Sequence, residues 1–154
     1  MSNSLYQKMI LISHRGNLTG SIPEKENSLE YIQEALDKGF DVEIDIWVIN
    51  NQVYLGHDVP QYVIDKIWLY LYRKHLWIHC KNVEAINYFT NKLKLFNYFW
   101  HENDTMTLTS KKHIWVYPGK QPIKNSIAVM PEIYNDDVSQ CLGICSDYIQ
   151  NYKK

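Results

Sequence analysis

Glu43-Ile44-Asp45 sets two carboxylates two residues apart in a stretch that alternates cleanly. Val42, Ile44 and Ile46 take one face, and Glu43, Asp45 and Trp47 take the other. On a strand the two acids project from the same side, roughly 7 Å apart at the backbone. Facing an interior, they would repel unless something positive sat between them, and a divalent cation held by oxygen ligands is the simplest answer. Facing solvent on a sheet edge they would do nothing, and for this spacing alone that is the commoner outcome. The rest of the chain weighs against the edge. His14-Arg15-Gly16 closes an apolar run, Glu26-Asn27 precedes a helical pattern, and His57-Asp58 follows a hairpin. Each group alone arises by chance; the four in this order are a strong signal.

These residues need strands and helices to position them. Residues 8–14 read as a buried strand. Asn27-Ser28-Leu29-Glu30 reads as a capping box with Asn27 as the cap, followed by Leu29, Ile32, Leu36 and Phe40 at helical spacing and a stop at Gly39. After residues 41–49, Asn50-Asn51 forms a tight hairpin turn returning through Val53-Tyr54-Leu55 to Gly56-His57-Asp58. Ile64, Ile67, Trp68 and Leu71 suggest a helix. Residues 75–81 alternate again, with Leu76, Ile78 and Cys80 on one side and Trp77, His79 and Lys81 on the other. A second such helix starts near Asn82 and carries Val83, Ile86, Phe89 and Leu93. Further strands are expected at 97–101, 113–117, 127–130 and 142–146, with connections too short for full helices.

Strands alternating with helices place the chain in the α/β class. The expected architecture is one domain over residues 1–154, a reduced TIM-type (β/α) barrel with few helices in its second half. An ordinary barrel of this kind takes about 250 residues, so part of its wall would be uncovered. Catalytic residues of such barrels gather at the C-terminal strand ends, where His14 falls. Trp100-His101-Glu102, residues 107–110, Trp115, Tyr117-Pro118-Gly119 and Pro131-Glu132 fall at later strand ends and would shape a pocket, a structural role weighing equally for each.

Composition narrows the partners. The 154 residues are 45% hydrophobic and 21% charged, with a formal net charge of −1 and no block of like charges. Nucleic-acid binders rely on clustered Lys and Arg, so a small-molecule partner is expected and nucleic acid is not. No run approaches the roughly 18 apolar residues of a membrane span, and residues 9–12 are too short for a signal-peptide core. Cys80, Cys141 and Cys145 match no metal-finger spacing, and a reduced, cytoplasmic protein is expected. Five Trp and twelve Tyr could stack sugars, anchor a surface or contact partners, but core filling takes the larger share. An uncovered wall and interface-loving aromatics together predict a homodimer.

The ordered motifs resemble the glycerophosphodiester phosphodiesterase family, among the phosphatidylinositol-phospholipase-C-like phosphodiesterases. The matching segments are Ile12-Ser13-His14-Arg15-Gly16, Glu26-Asn27-Ser28, Val42-Glu43-Ile44-Asp45 and Leu55-Gly56-His57-Asp58. The resemblance is fainter at Ile78-His79-Cys80-Lys81, where the family has Glu-x-Lys. It returns at Gly143-Ile144-Cys145-Ser146-Asp147-Tyr148, similar to a closing Gly-x-x-Thr-Asp strand. It implies a divalent cation, Mg or Ca with Mn as a further candidate, held by Glu26, Glu43 and Asp45. It implies Arg15 and Lys81 on the phosphate, and His14 and His57 exchanging protons with the attacking and leaving oxygens. In the family a substrate hydroxyl beside the phosphate can attack first, passing through a cyclic phosphate. Two features depart from the pattern. The family's insertion after His-Asp is missing, since only residues 59–74 intervene before the third strand. His79 stands where a metal-binding Glu is usual, and would ligate the metal, bind phosphate or mark a lost site. The competing expectation is an inactive module binding a phosphate, sugar phosphate or lipid headgroup.

Overall fold

The computed structural model describes residues 8–92 and 94–154; Leu93, assigned above to a helix, lies outside them. In chain order the elements are β1 (Ile10–His14), α1 (Leu29–Asp37), β2 (Asp41–Ile49), β3 (Gln52–Leu55), β4 (Tyr62–Val63), α2 (Lys66–Tyr72) and β5 (Leu76–Cys80). They continue with α3 (Val83–Thr90), β6 (Asn97–Phe99), β7 (Met106–Leu108), β8 (Ile114–Val116), β9 (Ser126–Val129) and β10 (Gly143–Ser146). Parallel pairing runs β6-β5-β2-β1-β10-β9-β8. β3 joins β2 antiparallel, β4 joins β3, and β7 joins β8 antiparallel.

This corrects the expected reduced TIM-type barrel. The sheet is mixed and forms a half-barrel, and among the described residues only three α-helices accompany its ten strands. The cause lies in the connections. The links β1–β2, β2–β5 and β5–β6 carry α1, α2 and α3, but β8–β9 and β9–β10 carry no α-helix. Between β6 and β8 the chain turns back as β7 rather than crossing over. β6 and β8 do not pair; the turn after β7 reaches β6 through Ser110 N–H donating to the Tyr98 carbonyl at 2.8 Å.

Strand alternation sends side chains into two cores. Toward the helices, Val42, Ile44, Ile46, Leu76 and Ile78 pack with Ile32, Ala35, Leu69, Ala85 and Phe89. On the opposite face Ile12, Trp77, Phe99, Trp115, Ile127, Val129 and Cys145 fill the interior of the half-barrel. Trp77 and Trp115 are therefore core residues. Because both faces of β2 are covered, Glu43 and Asp45 are buried rather than edge-exposed.

Local signals were read unevenly. Asn50 and Asn51 both have positive φ, 51° and 64°, as a two-residue hairpin turn demands. Asn82 caps α3, accepting from Ala85 N–H at 3.1 Å. The Asn27 capping box does not form. Ser28 is the N-cap of α1, without a side-chain bond, and Asn27 sits at φ 62° with its side chain turned to Asp45. In α2, Ile67 and Leu71 are 66% and 70% exposed, while Leu69 is buried. Seven residues make two turns, too few for spacing to define the buried face. The three cysteines are free. Among the described residues no helix is long and apolar enough to cross a membrane.

Candidate active site

The inward-facing residues at the C-terminal strand ends form one layer above the aromatic interior. Parallel register sets His14 of β1 opposite Glu43 of β2, and Asp45 of β2 opposite His79 of β5. Glu43, Asp45 and His79 each offer one ligand atom, all within 4.8 Å of one another. Such a group could hold a metal ion. Glu43 Oε2 and Asp45 Oδ1 are shielded from solvent and have no hydrogen-bond partner among the described residues. His79 Nε2 donates to the His101 carbonyl at 3.3 Å. That leaves Nδ1 aimed at Asp45 Oδ1, 3.1 Å away, and at Glu43 Oε1, 4.0 Å away. A lone pair pointed at two carboxylates requires a proton or a cation between them. A backbone carbonyl holding the far nitrogen is also how protein imidazoles are oriented toward metals.

The two carboxylates live in different fields. Burial would raise the pKa of Asp45, but the adjacent His57 and His79 imidazoles and the Arg15 charge outweigh it and hold the carboxyl well below its usual range. Asn27 adds Nδ2–H to Asp45 Oδ2 at 2.8 Å and accepts Asp45 N–H at 3.0 Å. Arg15 Nε lies 3.1 Å and Lys81 Nζ 3.9 Å from this carboxylate. Glu43 has no such company. It is 3% exposed, and its nearest basic atoms are His14 Nε2 at 3.8 Å and His79 Nδ1 at 4.0 Å. Burial and the neighbouring Asp45 charge push its pKa up. Leaving a buried carboxylate unpaired costs several kcal/mol by order of magnitude, so Glu43 is the group with most to gain from a cation.

His14 and His57 flank this group. His14 Nδ1 lies 2.6 Å from Asp147 Oδ1; a carboxylate accepts, so Nδ1 carries the proton and Nε2 presents its lone pair beside Glu43. Burial lowers the His14 pKa, but the Asp147 hydrogen bond and the Glu43 charge together carry it above its ordinary value. His57 Nδ1 lies 2.6 Å from Arg15 Nη2 and 3.4 Å from Asp45 Oδ2. His57 Nε2 lies 3.3 Å from the same Nη2 and 3.6 Å from Asp58 Oδ1.

Of the residues expected from sequence, Glu43, Asp45 and His79 come together, with His14, His57, Arg15 and Lys81 around them. Glu26 is not among the three grouped ligands and is held by other partners. Its carboxylate accepts from Ser21 Oγ at 2.6 Å, Asn17 Nδ2 at 2.9 Å and Arg15 Nη1 at 3.1 Å. Burial would raise its pKa, but these bonds lower it. Arg15, expected on phosphate, is anchored to Glu26 and packed against Asp45.

Sequence reasoning did not single out Asp147, Asn17, Asn27 or Gly56 as functional. Asp147 was legible only as part of the closing strand, and its pairing with His14 spans 133 positions. Asn17 donates to both Asp147 and Glu26, at 2.9 Å each. Gly56 holds the loop before His57. Its N–H donates to the Asp45 carbonyl at 3.1 Å, and its carbonyl accepts from Trp47 Nε1 at 2.7 Å. At φ +152° an added Cβ would lie 2.0 Å from the Val59 carbonyl oxygen. Gly56→Ala is therefore expected to destabilise by more than about 1 kcal/mol and to move His57 off Asp45. The midpoint of denaturant unfolding checks this, and an unchanged midpoint contradicts it.

No protein-family model, curated protein or solved structure matches this chain.

Proposed function

We propose that the chain is a metal-dependent phosphodiesterase acting on a small, glycerophosphodiester-like diester, with His14 and His57 as its proton-transfer pair. The observation that carries the reading is Glu43, a buried carboxylate with no hydrogen-bond partner for Oε2, set between His14 and the Asp45–His79 pair. A phosphodiester is anionic, and its cleavage needs positive groups where charge accumulates. Glu43, Asp45 and His79 would hold a divalent cation that supplies Lewis-acid stabilisation of the phosphoryl oxygens. Carboxylate oxygens favour Mg or Ca, whereas the imidazole of His79 favours ions from Mn toward Zn.

The residues of the chain supply the rest. Lys81 and Arg15 line the same cleft and would meet the phosphate charge. His14 Nε2 takes the proton of the attacking water, whose oxygen bonds to phosphorus. His57, acting as the imidazolium, gives a proton to the departing alkoxide as the phosphorus–oxygen ester bond breaks, leaving a monoester, an alcohol and a neutral His57 imidazole. Asp147 is a positioning residue, fixing the His14 tautomer.

Hydrolysis of a panel of small diesters, with each divalent metal and with chelator, tests the reading; turnover that ignores chelator refutes the metal requirement. The pH profile tests the base. His14 must be neutral to accept a proton, and the Asp147 hydrogen bond and the Glu43 charge raise its pKa, so the acid limb of kcat/KM should lie above the ordinary imidazole range. Asp147→Asn removes the anion that raises it, so the limb should move to lower pH and the rate should fall by about 10²-fold or more. A limb that stays in place would show that Asp147 does not act through His14.

A second reading has its own support. Arg15, His57 and Lys81 already surround Asp45, so side chains could stand in for the metal. The chain would then be an inactive module binding a phosphate, sugar phosphate or lipid headgroup. Phosphate binding without metal or turnover would select it.

A further inference from the structure

Asn17 is fully buried, and every polar group it carries is used. Its backbone N–H donates to the His14 carbonyl at 2.9 Å, and its own carbonyl accepts from Ser13 Oγ at 2.8 Å. These bonds turn the chain tightly as it leaves β1. The side chain reaches four more partners. Oδ1 accepts from Ile22 N–H at 3.2 Å and from the Tyr31 hydroxyl at 3.1 Å, while Nδ2 donates to Glu26 Oε1 and to Asp147 Oδ1, at 2.9 Å each. Chemistry fixes this orientation of the amide. Carboxylates only accept and a backbone N–H only donates, so the flipped amide would lose three of the four bonds.

Each carboxylate on Nδ2 holds one side chain of the proposed machinery. Asp147 Oδ1 is also the atom 2.6 Å from His14 Nδ1. Glu26 Oε2 accepts from Arg15 Nη1 at 3.1 Å, and Arg15 Nη2 lies 2.6 Å from His57 Nδ1. One nitrogen therefore joins two chains of contacts, Asp147–His14 toward the base and Glu26–Arg15–His57 toward the phosphate and the leaving group. Burial would raise the pKa of either acid, but hydrogen bonds, those from Asn17 among them, lower both. Two anions one hydrogen-bond length from the same atom repel each other, and the two N–H bonds of the amide offset that repulsion. Among the described residues no other side chain bonds both acids.

We infer that Asn17 is a positioning residue for both halves of the site, its single amide nitrogen setting the His14 imidazole through Asp147 and the Arg15 guanidinium through Glu26. This deepens the phosphodiesterase reading and rests on it for the consequence in turnover. The base and the phosphate-binding arm are then aligned together, because both hang from one side chain that Ile22 and Tyr31 fix from behind.

The test compares kcat and KM on a small diester in wild type, Asn17→Ala, Asp147→Asn, Glu26→Gln and the two double variants that contain Asn17→Ala. Asp147→Asn should act chiefly on kcat and Glu26→Gln chiefly on KM. Asn17→Ala should lower kcat and raise KM, each by at least about tenfold, since displacements near 1 Å can cost 10²-fold. In each double variant the loss should fall short of the product of the two single losses by at least about fivefold, as for residues in one hydrogen-bond network. Losses that multiply, or an effect of Asn17→Ala on kcat or KM alone, overturn the inference and leave the phosphodiesterase reading standing. Should Asn17→Ala not fold, Asn17→Asp takes its place, because it keeps the acceptor for Ile22 and Tyr31 and removes only the donors. If wild type cleaves no diester, the catalytic reading falls and nitrogen-15 NMR at alkaline pH, with the imidazoles neutral, decides this one alone. Loss of the fixed His14 Nδ1–H tautomer together with loss of the resolved Arg15 guanidinium signals in the Asn17 variant supports the inference. A change in only one of the two, or in neither, overturns it.

Discussion

On the proposed mechanism, replacing His14 by alanine should lower kcat on a diester substrate by about 10²- to 10⁴-fold, the usual worth of a positioned general base, and His57→Ala should do the same from the leaving-group side. The two variants separate when the leaving alcohol is changed. An alcohol of low pKa needs no proton, so it should restore most of the rate in His57→Ala and little in His14→Ala. Both imidazoles keep solvent contact, with side chains 20% and 40% exposed, so circular dichroism and cooperative unfolding should be retained. Removing His14 leaves Asp147 with Asn17 Nδ2, which already donates to it at 2.9 Å. Undiminished turnover in His14→Ala would eliminate the proposed proton transfer.

The second large effect is a difference in sign between the two buried acids. Asp45 is the anion around which Arg15, His57, His79 and Lys81 gather. Asp45→Asn strands the Arg15 and Lys81 charges and is expected to destabilise the metal-free protein by about 3–5 kcal/mol, the cost of breaking a buried pair. Glu43 has no hydrogen-bond partner for Oε2, so Glu43→Gln should raise the unfolding midpoint of the metal-free protein. Both substitutions should abolish the stabilisation that a divalent metal gives wild type, about 2.7 kcal/mol at a free concentration of 100 Kd. A glutamine that destabilises the metal-free protein would mean that Glu43 is already compensated and is not waiting for a cation. His79→Glu completes the set. A third carboxylate should tighten Mg or Ca relative to wild type and cost affinity for ions from Mn toward Zn. Calorimetric titration with each metal reads this directly, and identical affinities in both proteins would place residue 79 outside the metal's reach.

Much of the candidate site was legible because strand alternation is a rigid code. Once residues 41–49 and 75–81 were read as strands, Glu43 with Asp45, and His79 with Lys81, had to share faces. The Asn50-Asn51 turn was equally readable, since a two-residue hairpin of this kind needs positive φ at both positions. Asn27 was misread for an instructive reason. Its sequence context is that of a helix cap, but a buried carboxylate 18 residues later makes a stronger claim on the same amide. Local propensity lost to a tertiary hydrogen bond, as happens at sites where function competes with local rules. The buried face of α2 was missed because two turns contain too little periodicity.

By itself the sequence determined the strand faces, the hairpin, the order in which polar groups arrive and the exclusion of a broadly basic surface. These follow from local geometry and composition. Only the tertiary structure decided that the sheet stops at a half-barrel, because closure depends on connections that turn back or cross over, not on the strands. It alone paired His14 with Asp147 across the whole chain, tied Glu26 and Asp45 to the same Arg15 and left Glu43 without the partners that Asp45 collects. Such relations depend on long-range register and on which side chains compete for one small volume, and no local pattern encodes them.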